Sequence, residues 1–114
     1  TDPVNPNEFE KATLEKIGLI PEITVRYRSP YFQHIFAGGY SSGYYAYTWA
    51  EVLDADAFEA FKETGNIFNP EKAKAFRENI LSKGGTEHPM TLYKRFRGQE
   101  PTIDALLIRN GIKK

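Results

Sequence analysis

The sequence predicts a mainly α-helical chain that forms one domain over residues 1–114. Length is the first observation, because 114 residues of which 40% are apolar can build one modest core. Helical periodicity is the second, since apolar residues recur every three or four positions from Ala46 to Phe61. The third is the pattern of boundaries, in which Asn-Pro pairs precede helical stretches and glycines follow them.

The first predicted helix covers residues 6–17. Asn5 is a good N-cap, Pro6 suits the first helical position, and Glu8 stands where a capping box places a carboxylate. Gly18 is a typical residue after a helix end. These signals lie within a few residues of each other, so they predict the bounds of the helix directly.

An extended or loop region is expected near residues 23–40. Apolar and polar residues alternate over 23–28, a period of two that is typical of an extended chain. The segment YFQHIF, residues 31–36, is rich in strand-forming residues. The two pieces are interpreted as an extended loop or, less favoured, a small hairpin.

Four more helices are predicted in the rest of the chain. Ser41 or Ser42 is the expected cap of the long second helix, and glycines follow each helical stretch. The expected core stripe of the long helix is Ala46, Trp49, Ala50, Leu53, Ala57, Ala60 and Phe61. The predicted ranges are 42–64, 70–82, 89–96 and a last helix from a Thr102 cap to Gly111.

Composition excludes several classes of protein. Fifteen basic residues balance fifteen acidic ones, so the excess positive charge of a nucleic-acid surface is missing. The lack of cysteine excludes disulfide scaffolds and thiolate metal sites and is compatible with a cytoplasmic protein. We expect a cytoplasmic location, with the periplasm as the alternative. No apolar run approaches the roughly 20 residues of a membrane span. Because the chain starts at Thr1 and its one methionine is Met90, we expect it to be part of a longer protein.

The stretch HIFAGGYSSGYYAY, from His34 to Tyr47, is the most unusual part of the sequence. Gly38 and Gly39 form either a sharp turn into the long helix or a mobile loop over a site. Three roles fit the tyrosines: packing in a core, donation of hydroxyl hydrogen bonds to a reacting carbonyl, or stacking on nucleic-acid bases. The neutral net charge argues against base stacking. The first half of the long helix is apolar or aromatic nearly all round. We therefore expect part of it to face a cleft or an absent partner.

The titratable residues do not form a complete site on their own. His34 lies in an apolar segment, where packing is the commoner role, and His88 is expected in a surface turn. Glu51, Asp54 and Asp56 are interpreted as solvated charges of the long helix. The sequence contains no H-E-x-x-H motif, so we predict no metal ligand within the chain.

Taken together, the motifs resemble a known family. YRSPYFQHIFAGGYSSGYYAYTWAEVLDADAFEAF, NIFNPEKAKAFRENILSKGG, EHPMTLYKRFRGQEP and IDALLIRNGI are similar to the C-terminal active-site region of the thimet-oligopeptidase family of zinc metallopeptidases. The resemblance runs from Arg26 to Ile112. Its most specific part is a histidine followed by G-G-Y and then G-Y-Y-x-Y running into W-A-E. Among the bacterial branches, RYRSPYFQHIF is most similar to the peptidyl-dipeptidases, with oligopeptidase A as the alternative.

The resemblance implies a C-terminal helical segment of a zincin-like catalytic domain that lacks the zinc-binding motif. It also implies zinc bound by a part of the enzyme absent from this chain, and a water activated by that zinc. Tyr47 resembles the family's hydroxyl donor to the tetrahedral intermediate, and His34 resembles a histidine that binds the substrate backbone or the oxyanion. The implied substrate-binding residues are Tyr40, Tyr44, Gly38 and Gly39.

Two classes of function follow. The first is the C-terminal part of a zinc peptidyl-dipeptidase, inactive alone, whose partners are an oligopeptide substrate and the remainder of the enzyme chain. Cleavage of the oligopeptidase A type is its alternative. The second class is a free-standing helical module that binds a peptide or protein. In both classes we expect neither nucleic acid nor a membrane as partner, and we expect the isolated chain to self-associate through an apolar face.

Overall fold

The computed structural model describes residues 3–114, and every regular element in that range is helical. This confirms the predicted mainly α fold. The chain divides into two compact units, residues 1–44 and residues 45–114, each described by itself. The division falls inside the tyrosine-rich stretch. Within the described range, no helix is long and apolar enough to cross a membrane.

Helix α1 (Pro6–Lys16) opens the first unit as predicted. The Asn5 side chain accepts hydrogen bonds from the backbone N–H groups of Asn7 and Glu8, at 3.0 and 3.4 Å. These groups have no acceptor inside a helix, so the cap stabilises its first turn. The chain leaves the helix where Gly18 has a φ of +83°, a conformation that residues with a Cβ rarely adopt.

The region near residues 23–40 is mostly loop, but its YFQHIF segment is not extended as expected. A 3₁₀ turn covers Ser29–Tyr31 and helix α2 covers Gln33–Phe36. A strand needs a hydrogen-bonded neighbour, and none exists among the described residues. The backbone is therefore paired locally, for example by the Ala37 N–H, which donates to the Gln33 carbonyl at 2.8 Å.

A carboxylate on α1 holds the loop that leads to these turns. Glu10 accepts hydrogen bonds from the Ser29 N–H at 2.6 Å, from the Ser29 hydroxyl at 2.9 Å and from Arg28 Nε at 3.1 Å. The Ser29 backbone N–H is the main reason why the pKa of Glu10 lies below its ordinary value. The loop is thereby tied to α1 through one ionised side chain.

The long helix α3 (Ala46–Lys62) opens the second unit and begins four residues later than predicted. Ser42 has a φ of +55°, which is incompatible with an α-helix, so a turn occupies residues 41–45. The capping residue is Tyr45, and no side chain caps the helix. The C-terminal end was predicted more accurately, at residue 64 against the observed Lys62. The chain turns away at Gly65, whose φ is +73°.

Three short helices and a π-helical turn complete the second unit. They are α4 (Pro70–Phe76), the π turn (Arg77–Leu81), α5 (Pro89–Arg97) and α6 (Asp104–Arg109). The Asn69 side chain caps α4 as predicted, accepting from the Lys72 N–H at 2.9 Å. The single helix predicted over 70–82 instead changes to π geometry, where the Ser82 N–H donates to the Arg77 carbonyl at 2.8 Å.

The last two helices differ in how well their starts were predicted. His88 lies in an exposed turn as expected, and its Nδ1 also caps α5 by accepting from the N–H two residues later at 3.2 Å. The predicted Thr102 cap of α6 is wrong, because the capping residue is Ile103 and no side chain caps this helix. Gly111 follows the end of α6 with a φ of +71°.

The core of the second unit consists of side chains from α3 and α5. Its buried members are Val52, Ala55, Asp56, Ala60, Leu92, Tyr93 and Phe96. The predicted stripe on α3 was partly wrong. Ala60 is buried, but Ala46 is exposed and the Trp49 side chain is 44% exposed. The buried face is displaced by about one residue along the helix, since Asp56 is buried and the predicted Ala57 only partly so. Asp56 accepts hydrogen bonds from Tyr93 and Arg97 of α5.

Candidate active-site region

Five aromatic side chains of the first unit pack together. They form the aromatic cluster, which consists of Tyr27, Phe32, His34, Tyr40 and Tyr44. Stacking joins Tyr27 to Phe32, with ring centroids 5.2 Å apart and planes inclined by 7°. An edge-to-face contact joins Phe32 to Tyr44 at 4.7 Å and 83°. Three predicted site residues, His34, Tyr40 and Tyr44, are thereby brought together.

Tyr27 and Phe32 were missed as members of this region. A local signal existed, because Tyr27 continues the alternation of Ile23 and Val25, and both missed residues lie inside the RYRSPYFQHIF segment. This alternation indicates only that one face of the segment 23–28 is apolar. It does not say which distant rings that face contacts, so their role in framing the histidine emerges only from the structure.

His34 lies in the middle of the aromatic cluster. Its ring centroid is 4.8 Å from that of Tyr27, 5.7 Å from Tyr44 and 6.1 Å from Tyr40. The Nδ1 atom of His34 is buried and has no hydrogen-bond partner among residues 3–114. Leaving a buried polar atom unpaired costs about 1–3 kcal/mol. A ligand would reach Nδ1 only after the surrounding rings move aside, because the atom has almost no exposed surface. A hydrogen bond formed there would recover part of that cost.

The two predicted loop glycines have different surroundings. A Cβ on Gly38 would lie 3.0 Å from the His34 carbonyl oxygen and 3.3 Å from the His34 Cα. A Cβ on Gly39 would meet nothing within 4 Å, and neither glycine has a φ in the left-handed region. A side chain at Gly38 would therefore press on the backbone of His34, four residues earlier in the same turn. This tight packing supports the sharp-turn interpretation there. The closing of this loop on a substrate stays a prediction.

Tyr47 belongs to the second unit, where it lies in the first turn of α3. Its side chain is 54% exposed, and its neighbours Tyr45 and Trp49 are 72% and 44% exposed. The start of α3 is therefore exposed, whereas Val52, two turns into the helix, is buried. The role of Tyr47 as a hydroxyl donor requires such a surface position, and that role stays a prediction.

The described part of the chain offers no metal centre. Within residues 3–114, no group of three or more histidine, cysteine, aspartate or glutamate side chains is placed to hold a metal ion. A zinc ion in this region would need ligands from elsewhere, because structural and catalytic zinc sites use at least three protein ligands.

The prediction that Asp56 is a solvated helix charge is wrong. Its side chain is 2% exposed, and Oδ2 accepts hydrogen bonds from the Tyr93 hydroxyl at 2.6 Å and from Arg97 Nε at 3.1 Å. Arg97 also donates two hydrogen bonds to the Glu63 carboxylate, at 2.7 and 2.8 Å. These four residues form the buried ion-pair network, in which Glu63 is the exposed member. Asp54, by contrast, is exposed as predicted.

Three groups of the buried ion-pair network have shifted pKa values. Each shift favours the protonation state in which that group forms its hydrogen bonds. Burial, assisted by the Asp56 carboxylate, raises the pKa of Tyr93 far above its ordinary range, so its hydroxyl remains a donor. Hydrogen bonds from Arg97 lower the pKa of Glu63, and the same bonds raise the pKa of Arg97. The network therefore fixes α3, the helix that carries Tyr47, to α5 at neutral pH.

The comparison with known proteins decides the family. The sequence pattern of Peptidase family M3 matches residues 2–112. This chain belongs to Peptidase family M3. The predicted resemblance, which rested on the G-G-Y and G-Y-Y-x-Y motifs, is confirmed at this level.

Curated relatives come from both branches considered above. The chain is 62% identical over 82 residues to oligopeptidase A of Escherichia coli (strain K12), a match covering 72% of this chain and 12% of that protein. It is 43% identical over 106 residues to dipeptidyl carboxypeptidase of Salmonella typhimurium, covering 92% and 15%. It is 35% identical over 82 residues to saccharolysin of Saccharomyces cerevisiae, covering 72% and 11%. The chain thus spans less than a sixth of the length of each of these M3 relatives.

Proposed function

We propose that this chain contributes substrate-binding residues to an M3 zinc metallopeptidase that hydrolyses oligopeptides. The observation that carries the proposal is the aromatic cluster. It gathers His34, Tyr40 and Tyr44, which the family resemblance associates with substrate, around an imidazole nitrogen without a partner in the described residues. A peptide backbone offers both N–H and C=O groups, so it can satisfy that nitrogen in either tautomer.

The extent of the surface supports a place within a larger enzyme. Two separate compact proteins with the sizes of the two units would together expose roughly 7,600 Å². The accessible surface is 9039 Å², which exceeds this value even if the units bury nothing against each other. Exposed rings contribute, including Phe36 at 76%, Tyr45 at 72% and Phe68 at 83%. Apolar surface of this kind is normally covered by protein, and we assign that part to the remainder of the metallopeptidase.

In this proposal each site residue has one task. The Tyr47 hydroxyl donates to the scissile carbonyl oxygen as negative charge develops there, which lowers the barrier rather than tightening substrate binding. His34 hydrogen-bonds the substrate backbone or the oxyanion. Tyr40 and Tyr44 line the cleft, and Gly38 and Gly39 let their loop approach the substrate closely.

The proposal places the zinc ion outside this chain, since the described residues hold no suitable set of ligands. Zinc held there would supply Lewis-acid activation of the attacking water. The part of the reaction left to this chain is to bind and orient the peptide and to donate to the oxyanion.

Two modes of cleavage fit the family, and they differ in the product. The RYRSPYFQHIF segment favours release of C-terminal dipeptides. Sequence identity favours the oligopeptidase A branch: it is 62% to oligopeptidase A of E. coli and 45% to dipeptidyl carboxypeptidase of the same organism. The match to the carboxypeptidase is longer, at 93 residues against 82. We therefore propose oligopeptide hydrolysis as the common function, with the mode decided by how the end of the substrate is recognised.

The test uses the full-length enzyme that contains this chain. We expect it to cleave an N-blocked oligopeptide in a chelator-sensitive manner, with products assigned by mass spectrometry. Tyr47→Phe should lower kcat by about 10²- to 10³-fold with little change in KM. Tyr45→Phe is the matched control, an exposed tyrosine of the same helix start without an assigned task, and should keep kcat within about twofold. A near wild-type kcat for Tyr47→Phe would contradict the proposed role.

Location and assembly complete the proposal. We place the full-length enzyme in the cytoplasm, in line with the cysteine-free sequence, with the periplasm as the alternative that cell fractionation would detect. The isolated chain should show no peptidase activity, and its exposed rings should make it self-associate in sedimentation experiments.

A further inference from the structure

Glu10 of α1 supplies the hydrogen bond that the 3₁₀ turn Ser29–Tyr31 cannot make for itself. The Tyr31 N–H donates to the Arg28 carbonyl at 3.0 Å, and the middle residue of the turn is a proline, which has no N–H. The Ser29 N–H has no acceptor inside the turn, and the Arg28 side chain does not cap it. Glu10 Oε2 accepts this N–H at 2.6 Å and also accepts the Ser29 hydroxyl at 2.9 Å. The turn therefore depends on a carboxylate 19 positions earlier in the chain.

The second oxygen of the same carboxylate holds the residue before the turn. Glu10 Oε1 accepts from Arg28 Nε at 3.1 Å, and the Arg28 guanidinium also donates to Asn7 Oδ1 at 2.9 Å. The Glu10 side chain is only 11% exposed, so water competes little for these bonds. Three hydrogen bonds thus join one side chain of α1 to two successive residues of the loop.

Two rings of the aromatic cluster flank the segment that Glu10 holds. Tyr27 precedes this segment and Phe32 follows it, and their ring centroids are 5.2 Å apart. An extended chain would place these two Cα atoms roughly 17 Å apart, so the stack requires the turn between them. Both rings lie against His34, with centroids 4.8 and 6.0 Å from that of the imidazole. Displacement of the turn would therefore separate two of the rings that frame the histidine.

We propose that Glu10 is a positioning residue, which fixes the place of His34 by holding the turn between Tyr27 and Phe32. The inference rests on the proposed function, in which His34 hydrogen-bonds the substrate backbone or the oxyanion. Glu10 acts through the turn and not by contact with the substrate. Misplacement of a binding or catalytic group by about 1 Å can cost on the order of 100-fold in rate, so loss of Glu10 should be visible in catalysis.

The experiment measures kcat/KM of the full-length enzyme for an N-blocked oligopeptide. Glu10→Ala removes all three hydrogen bonds and should lower kcat/KM by about 10- to 100-fold. Glu10→Gln keeps the side-chain length and one oxygen for Ser29, and should stay within about fivefold of wild type. Glu10→Asp keeps the charge but is one methylene too short, and should behave like Glu10→Ala. Glu15→Ala, which removes a 65% exposed carboxylate of the same helix, is the matched control and should stay within about twofold.

A double-mutant cycle tests whether Glu10 acts through the histidine. In the His34→Phe enzyme, Glu10→Ala should lower kcat/KM by no more than about twofold further, because the group that it positions is gone. In the Tyr47→Phe enzyme, Glu10→Ala should retain most of its effect, because Tyr47 belongs to the second unit. A merely structural role of Glu10 would give the same loss in both backgrounds.

The outcomes separate this inference from the proposed function. A loss in Glu10→Ala that Glu10→Gln largely restores, and that disappears in the His34→Phe background, supports the positioning role. Equal losses in both backgrounds overturn it, as does rescue by Glu10→Asp in place of Glu10→Gln. Wild-type kcat/KM for Glu10→Ala also overturns it but leaves the peptidase intact. A wild-type enzyme that cleaves no oligopeptide overturns the proposed function, and this inference with it.

Discussion

The aromatic cluster and the buried ion-pair network both place polar groups among rings, but they complete their hydrogen bonds differently. In the network, the Tyr93 hydroxyl and the Arg97 Nε both donate to the Asp56 carboxylate, at 2.6 and 3.1 Å. In the cluster, the buried Nδ1 of His34 has no partner within the described residues. The network thus pairs its buried polar groups internally, whereas the aromatic cluster contains a buried nitrogen that is still unpaired.

This difference separates a scaffold from a binding region. Buried polar groups in proteins are nearly always paired, and exceptions concentrate where a ligand or a reaction is served. The network therefore explains how α3 is held, and the cluster marks where a substrate gains from contact. The following variants test that division, in order of expected effect.

Removing the central carboxylate of the network should have the largest effect on stability. Asp56→Ala leaves the Arg97 guanidinium paired only with the half-exposed Glu63 carboxylate, and the Tyr93 hydroxyl only with the Leu53 carbonyl at 3.4 Å. Breaking a buried pair in this way typically costs about 3–5 kcal/mol. Hydrogen exchange of the α3 and α5 amides in the full-length enzyme measures the loss, and Asp54→Ala, an exposed carboxylate of the same helix, is the control. Equal protection in wild type and Asp56→Ala would show that the network is not a scaffold.

Replacing the unpaired histidine should have the opposite pattern. His34→Phe keeps an aromatic ring in the cluster and removes the unpartnered nitrogen, so protection of the α2 amides should stay equal or rise by up to about 1 kcal/mol. Peptide cleavage should fall by about 10- to 100-fold. His88→Ala is the reciprocal control, because it removes the cap of α5 and should cost about 1 kcal/mol without changing cleavage. A strongly destabilised His34→Phe would make the histidine a packing residue.

The two loop glycines offer a smaller and more local test. Gly38→Ala forces a Cβ to 3.0 Å from the His34 carbonyl and should displace that residue, lowering kcat/KM by about 10-fold or more. Gly39→Ala has open space and should cost only about two- to fivefold, through a stiffer loop. Steady-state kinetics of the two variants distinguish steric fit from loop mobility, because equal losses would favour mobility.

Acid should weaken the ion pair between Glu63 and Arg97 only modestly. The folded pKa of Glu63 lies below the usual value of 4.5, so its ionised form stabilises the fold above that pH. The contribution is lost as the pH falls through the lowered pKa. Because the side chain is 51% exposed, solvent screens the pair with Arg97 and the effect is small. Glu63→Gln should flatten the dependence of the melting temperature on pH below 4.5. An unchanged dependence would show that ionisation of Glu63 does not contribute to stability.

Elements with local signals could be predicted from the sequence. The Asn5 and Asn69 caps and the turn at Gly65 depend on contacts within four residues, and each was predicted at its observed place. The start of α3 was missed because the left-handed conformation of Ser42 prevents an early helix, and residue type alone does not reveal it. The grouping of the histidine with two tyrosines could be anticipated only because their motif resembles a family.

Contacts between distant residues could not be predicted in the same way. Asp56 looked like a surface charge because its arginine partner lies 41 positions further along the chain. A signal was present in its spacing, since Asp56 stands four residues after Val52 and four before Ala60, both of which are buried. Periodicity could thus locate the buried face, but only the packing of α3 with α5 explains why a charge belongs there.

The pairing of Asp56 with Arg97 also constrains how this family can change over time. Loss of Arg97 leaves the buried Asp56 carboxylate without its ion-pair partner, and loss of Asp56 leaves Arg97 with only the half-exposed Glu63. Replacement of both Asp56 and Arg97 by apolar residues of similar volume is often nearly neutral or even favourable. Divergent relatives should therefore keep both residues or lose both, with few sequences holding only one. Tyr93 should drift more freely than either, because a phenylalanine fills the same space and leaves the ion pair intact.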